Sequence, residues 1–351
     1  MDGKINISDL NLPELEEYIT SLGEKKFHAK QIFKWIHRFH VTDFNDMTDI
    51  SKSLRTKLID NAYILELKIL QVQKSAKDGT HKFLIKLPDN NAIESVFMVY
   101  NYGNTLCVST QVGCKMGCKF CASTVAGWKR NLLASEIEGQ IIAVEKYMNQ
   151  KISNVVYMGI GEPLDNYDNV VKSVNLINCP EGLGIGARHI SLSTSGLVPN
   201  IYRLADEGLQ ATLSISLHAV TDEKRKEIMP VANRYSIKEL LDACSYYISK
   251  TKRRISFEFS LISGVNDDAN TAKDLARLLR GMIAHVNLIP INELKNGVYR
   301  RPKEKNIETF MNILNSSGIV ATVRRELGTD IDAACGQLRQ KYIDAEREEN
   351  A

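Results

Sequence analysis

The run Cys114-Lys115-Met116-Gly117-Cys118-Lys119-Phe120-Cys121 sets three thiols within eight residues, directly after the candidate strand Leu106-Cys107-Val108-Ser109-Thr110. Three thiolates hold three corners of a four-iron cluster, whereas an ordinary electron-transfer cluster takes four. The fourth iron is then open to a chelating ligand, to which it can deliver an electron. A structural zinc knuckle is the competing reading, but it needs a fourth ligand and usually shows a second Cys or His pair nearby. His81, Cys107 and His189 offer no such paired spacing. An iron–sulfur cluster open at one iron is therefore the better account of the triplet.

Further polar groups recur where strand patterns end. Val155-Val156-Tyr157-Met158 runs into Gly159-Ile160-Gly161-Glu162-Pro163, where glycines admit a ligand close to the backbone and a carboxylate can accept from an amino group. Ser191-Leu192-Ser193-Thr194-Ser195-Gly196, Ser214-Ile215-Ser216-Leu217-His218-Ala219 and Val286-Asn287-Leu288-Ile289-Pro290-Ile291-Asn292 end in the same manner. Each alone reads as helix capping. Together, at one end of a βα series, they read as a ligand rim. Near the C-terminus, Asp330-Ile331-Asp332-Ala333-Ala334-Cys335-Gly336-Gln337-Leu338 places a cysteine among small residues that let a large group come close. Cys179 and Cys244 fall in no motif.

This set resembles the RlmN/Cfr family of radical S-adenosylmethionine (SAM) RNA methyltransferases over nearly the whole chain. The resemblance rests on the C-x3-C-x2-C triplet, Gly161-Glu162-Pro163, the Ala334-Cys335-Gly336-Gln337-Leu338 motif and Cys107. It implies a [4Fe-4S] cluster on Cys114, Cys118 and Cys121, and SAM contacts from Gly161, Glu162, Ser193, Ser216, Leu217, His218 and Asn292. It further implies two SAM molecules per turnover, with Cys335 methylated by the first as a carrier. Glu94, thirteen residues before Cys107, matches the base that takes the ring proton. Cys107 matches the thiol that resolves the covalent RNA adduct by forming a disulfide with Cys335. An adenine carbon flanked by two nitrogens is electron-poor, so a carbon radical is a more reasonable attacker than a polar methyl donor. The stretch Pro163-Leu164-Asp165-Asn166-Tyr167 after Glu162, Pro290 after Ile289 and Ser195-Gly196 after Thr194 resemble the carbon 2 branch of the family, RlmN, over the carbon 8 branch, Cfr. The implied partners are 23S rRNA at the peptidyl transferase centre, tRNA beside the anticodon, and a reductant such as flavodoxin or ferredoxin. A zinc-stabilised RNA-binding module without catalysis is the reading from another class; it leaves Cys107, Cys335 and the Gly-Glu-Pro segment without roles.

The elements that must position these residues alternate. Candidate strands at 105–110, 153–158, 188–194, 211–217, 255–260, 286–290 and 319–324 are separated by amphipathic helical patterns such as 134–149, 268–284 and 304–317. That rhythm predicts an α/β fold, a partial (β/α) barrel with chemistry at the carboxyl ends of its strands. Residues 1–62 read as short helices, and 64–99 as a small antiparallel sheet with period near 2. The expected division is an accessory RNA-binding domain at 1–99, the core at 100–328 and a C-terminal segment at 329–351 carrying Cys335. With 44% hydrophobic and 25% charged residues the composition is that of a globular protein, not a disordered one. The net charge of +3 is too small to announce a nucleic-acid partner. Any RNA footprint must be local; Lys25, Lys26, Lys30, Lys34 and Arg38, with Trp35 and His37 interleaved and no acid between, form a candidate. Lys129-Arg130 and Lys250-Thr251-Lys252-Arg253-Arg254 are others. Seven cysteines, without a leader or an apolar span, suit a reducing cytoplasm and no membrane; a monomer is expected.

Overall fold

The computed structural model describes residues 3–125, 127–291, 298–331 and 338–339. Its centre is one ten-stranded sheet. Seven strands run parallel to one another: Gly103–Cys107, Asn154–Tyr157, Ile190–Thr194, Thr212–Ser216, Ile255–Leu261, Ala284–Pro290 and Val320–Val323, in that spatial order. Helices connect them, including Ala134–Met148, Tyr167–Asn178, Val198–Asp206, Ile237–Thr251, Ala269–Leu278 and Glu304–Ser316. The strand and helix positions read from periodicity are met within a few residues. The exception is the 268–284 pattern, whose helix stops at Leu278, before the turn at Gly281.

Alternation along the strands divides the sheet into two faces. Ile190, Leu192, Leu213, Ile215, Phe257 and Phe259 pack into the main hydrophobic core. The residues between them, such as Ser191, Ser193, Ser214, Ser216, Glu258 and Ser260, make the opposite face polar. A polar inner face in a parallel sheet is a place prepared for a ligand, because an ordinary core would fill it with aliphatic groups.

The 64–99 stretch does not form a sheet of its own. Lys68–Lys74, His81–Lys86 and Ala92–Tyr100 continue the core sheet as three antiparallel strands, the last pairing with Gly103–Cys107. Ala92–Tyr100 is buried along seven of its nine residues, facing inward and outward alike, so it needs a neighbour on each side and a layer on each face. A small separate sheet supplies neither. The helices Leu12–Ser21, Phe27–His37 and Lys52–Asn61 do hold a core of their own, which reaches Ala134 and Leu176 of the core helices. The first of them starts at a capping box in which Asn11 and Glu14 satisfy each other's backbone N–H groups.

Candidate active site

The cysteine triplet lies on the loop that follows the short strand Gln111–Val112. Gly113 adopts φ +82°, and a Cβ there would meet the Gly127 carbonyl at 1.7 Å, so only glycine lets the loop fold back this closely. Cys114 is buried, and Cys118 and Cys121 are half-buried; none of the three forms a disulfide with another described cysteine. Burial pushes the Cys114 and Cys118 thiols up to about 12, helped by the nearby Cys121 and Glu162. Without a metal they stay protonated, and binding iron must displace their protons. The loop is fastened from below. Lys119 N–H donates to the Ile228 carbonyl (3.0 Å), Gln111 accepts from Glu162 N–H (2.9 Å), and Gln111 Nε2 donates to Asp165 (2.7 Å). Three cysteines on one braced loop fit a cluster that takes one thiolate at each of three irons. Among the described residues, no group of three His, Cys, Asp or Glu side chains is gathered as for a single metal ion.

The Gly-Glu-Pro segment sits against this loop. Gly161 has φ +113°, and a Cβ there would approach Thr110 Oγ1 and Gln111 Cβ to 2.7 Å. Glu162 is 3% exposed; its Oε1 accepts from Leu164 N–H (3.0 Å) and its Oε2 from Ser195 N–H (2.7 Å). Burial holds its carboxyl above the ordinary range, against the lowering effect of these bonds. Its immediate work is thus to tie the end of Asn154–Tyr157 to the end of Ile190–Thr194. Each carboxylate oxygen retains a further lone pair for a ligand amino group.

Ser193 lies opposite Ser214, and Ser216 opposite Glu258, which in turn faces Asn287. His218 follows in the left-handed region (φ +58°). Its Nδ1 accepts from Ser260 N–H at 2.9 Å, which fixes the tautomer with the proton on Nε2. Burial, with the Arg225 charge nearby, lowers its pKa to about 3, so the ring is a neutral donor at physiological pH. The Phe120 ring of the cysteine loop stands edge-on to it, centroids 5.0 Å apart. The loop and the strand rim therefore meet through side chains. Asn292 lies outside the described residues, next to Ile291, whose N–H bonds to the Leu261 carbonyl (3.2 Å).

A second group gathers at the antiparallel edge. Val96 pairs with Cys107 across the ladder, and both pack with Met98, Val156 and Met158. Glu94 belongs to the same strand as Val96, two residues earlier and on the same face. It is 3% exposed, held by Lys82 Nζ at 3.0 Å and by the Arg339 backbone N–H at 2.6 Å. Leu338 packs on Leu84 and Ala92, and Arg339 Nε donates to the Ala92 carbonyl (2.8 Å). On the other side of Cys335, Asp330 accepts from Ser75 Oγ (2.6 Å) and Ala76 N–H (2.8 Å). Cys335 itself lies outside the described residues, but the chain on both sides of it is anchored to the strands and turns that carry Glu94. None of the six described cysteines forms a disulfide with another of them, Cys179 and Cys244 included.

Sequence reasoning missed two residues here. Lys82 is fully buried; its only signal in the sequence is its setting beside Phe83-Leu84-Ile85. Arg225 is also fully buried, hidden in sequence by the charged run Asp222-Glu223-Lys224-Arg225-Lys226-Glu227, which reads as a solvated face. The basic N-terminal candidate changes character as well. Lys26 pairs with Glu16 (2.9 Å), Lys30 with Glu181 (2.7 Å), Trp35 Nε1 donates to Asp49, and His37 is wholly buried against Glu138. The acids absent from the segment arrive from elsewhere in the fold.

Comparison with known proteins adds the following. Residues 5–64 match the ribosomal RNA large subunit methyltransferase N-terminal domain, and residues 108–276 the radical SAM superfamily. A protein of Clostridium perfringens (strain 13 / Type A) named "Probable dual-specificity RNA methyltransferase RlmN" is 57% identical over 96% of this chain and 97% of its own. A protein of the same name from Clostridium botulinum (strain Alaska E43 / Type E3) is 55% identical over the same shares. The crystal structure of a radical SAM methyltransferase from Sphaerobacter thermophilus superposes with a TM-score of 0.90 at 42% identity, covering 95% of this chain and 98% of that one.

Proposed function

Because the chain belongs to the RlmN family of radical SAM RNA methyltransferases, we propose that it methylates carbon 2 of adenine in 23S rRNA at the peptidyl transferase centre and in tRNA beside the anticodon. Family membership removes the zinc-held, non-catalytic alternative. The single observation that carries the finer reading is the bond from Arg339 N–H to Glu94, four residues after Cys335 and on the same strand face as Cys107. It ties the stretch after Cys335 to the strand that carries Glu94 and pairs with Cys107.

When bound, the cluster on Cys114, Cys118 and Cys121 and SAM at Gly161, Glu162, Ser193, Ser216, Leu217, His218 and Asn292 supply a primary carbon radical able to take hydrogen from a methyl group. Neutral His218 offers its Nε2 proton to the ligand without adding charge. Glu162 and its backbone bonds keep two strand ends in register around it. Cys335 receives its methyl group from a first SAM and presents the methyl carbon, once hydrogen has been removed by use of a second, to the electron-poor ring. Glu94 takes the ring proton. The adduct's odd electron would return to the cluster; Cys107, as a thiolate, then attacks the Cys335 sulfur, forming the disulfide as the bond from that sulfur to the base's new carbon breaks, and that carbon takes up a proton to complete the methyl group. An external one-electron donor of the flavodoxin or ferredoxin type completes the cycle, and the reading places a monomer in the cytoplasm. Among the described residues no helix is long and apolar enough to cross a membrane.

The test is Cys107→Ala. Methyl loading and addition to adenine can still proceed, but no thiol is left to release the base. The variant should accumulate joined to RNA, with an adenosine-derived mass on the Cys335 peptide after nuclease digestion, and the double variant with Cys335→Ala should not. Normal turnover by Cys107→Ala, or cross-linking by the double variant, sinks these roles.

A further inference from the structure

Arg225 is the largest fully buried side chain of the protein's described residues. It lies on the helix Asp222–Ile228, between the rim strand Thr212–Ser216 and the cysteine loop. Its Nη2 donates to the Ser195 carbonyl (2.6 Å) and the Ser216 carbonyl (3.2 Å), and its Nε to the Leu217 carbonyl (3.1 Å). One side chain thus links the carboxyl ends of two neighbouring strands, those carrying Ser193 and Ser216-Leu217-His218. Three residues further along the same helix, the Ile228 carbonyl accepts from Lys119 N–H of the cysteine loop, and Pro230 closes on Gly117. Loop and rim are therefore held by one short helix with Arg225 at its centre.

What this guanidinium lacks is an anion. No Asp or Glu among the described residues forms an ion pair with it, and Nη1 is buried without a hydrogen-bond partner. The nearest acid in sequence, Asp222, accepts instead from Ile237 N–H (2.7 Å). A buried, unpaired cation is costly and is tolerated where a negative group arrives on binding. Burial lowers its pKa to about 10, and the groups that would offset this when ionised are Cys118 first, then Asp222 and Cys244. A thiolate-ligated cluster brings negative charge to that side and gains one more electron on reduction, so a fixed cation beside it eases the reduction.

The geometry points to Arg225 as the buried counter-cation of the Cys114–Cys118–Cys121 cluster and as the positioning residue that holds the SAM rim in register with it. The assignment rests on those cysteines being the cluster ligands. Arg225→Gln removes the charge but keeps hydrogen-bonding atoms, and Arg225→Lys keeps the charge but gives up the fork. In anaerobic, cluster-loaded protein, an EPR-monitored redox titration should give a more negative midpoint potential for Arg225→Gln and a value near the parent for Arg225→Lys. Equilibrium dialysis should show SAM bound roughly tenfold more weakly by both, because neither replaces three charge-assisted bonds. Equal potentials in all three proteins overturn the counter-cation role, and unchanged SAM affinity in both variants overturns the positioning role. A Gln variant that folds by circular dichroism but holds no iron, beside a Lys variant that does, supports the charge requirement. Loss of the fold in both makes Arg225 structural only and overturns the proposal. If the parent itself takes up no iron, the cysteine assignment has failed instead.

Discussion

A lysine and a glutamate buried side by side set the tightest constraint on a single residue in this protein. Lys82 and Glu94 are 0% and 3% exposed with 3.0 Å between Nζ and Oε2. Removing one partner of such a pair leaves an uncompensated charge in a low-dielectric place, at a cost of about 3–5 kcal/mol. Lys82→Met is therefore expected to lower the urea midpoint sharply, and adding Glu94→Gln should recover much of the loss because no lone charge then remains. At His218, burial and the nearby Arg225 charge keep the ring neutral, and the Ser260 N–H fixes its orientation.

Elements contribute by what they bring alongside. The helix Phe27–His37 carries a basic stripe in sequence, yet Glu16 comes from the helix before it and Glu181 from the turn after Tyr167–Asn178. Exposed pairs of this kind are worth little to stability, but they lower the net charge available to phosphate. Changing both Lys26 and Lys30 to Ala is expected to leave the salt dependence of RNA binding unchanged in a filter-binding assay. Lys25, Lys34 and Arg38 of the same segment form no ion pair with the described residues, although Lys34 lies over the Phe39 ring. At the other end of the chain, the turn that holds Asp330 and the strands that hold Leu338 and Arg339 fasten the Cys335 segment to the antiparallel strands. Those three strands thus serve two purposes, extending the sheet and seating the C-terminal segment.

At the scale of the whole molecule, the accessory helices dock through a small buried polar set. His37 Nδ1 meets Glu138 at 2.8 Å, with both side chains essentially inaccessible, and Asp9 accepts from Ser135 N–H at 2.8 Å. His40, at the end of the same helix, has its pKa lowered to about 4 by burial and by Lys151 and Lys146. In the unfolded chain a histidine titrates near 6.5, so between those values the unfolded state binds the extra proton. The contribution of a neutral His40 is therefore complete above roughly pH 6.5 and is lost as the pH falls toward about 4. Thermal melts across this range should show declining stability, and His40→Asn, which tolerates the left-handed backbone at φ +59°, should flatten the decline.

The sequence by itself determined what could be read from local spacing and period. The cysteine triplet, the Gly161-Glu162 turn, the polar strand ends and the alternating βα rhythm are all local, because a loop ligand set, a turn glycine and an amphipathic stripe each depend on neighbours within a few residues. Resemblance then gave Glu94, Cys107 and Cys335 their roles, which no spacing could supply across such separations. Only the tertiary structure decided which polar groups pair over long distances. It joined 64–99 to the core sheet, because a strand buried on both faces requires company from elsewhere. It drew Glu16 and Glu181 onto a helix that looked uniformly basic. It also buried Lys82, and with it Arg225, whose charged neighbours in sequence read as a solvated face. Charge is a property of a residue, but whether it faces water, pairs with an acid or is buried away from one depends on where the rest of the chain folds.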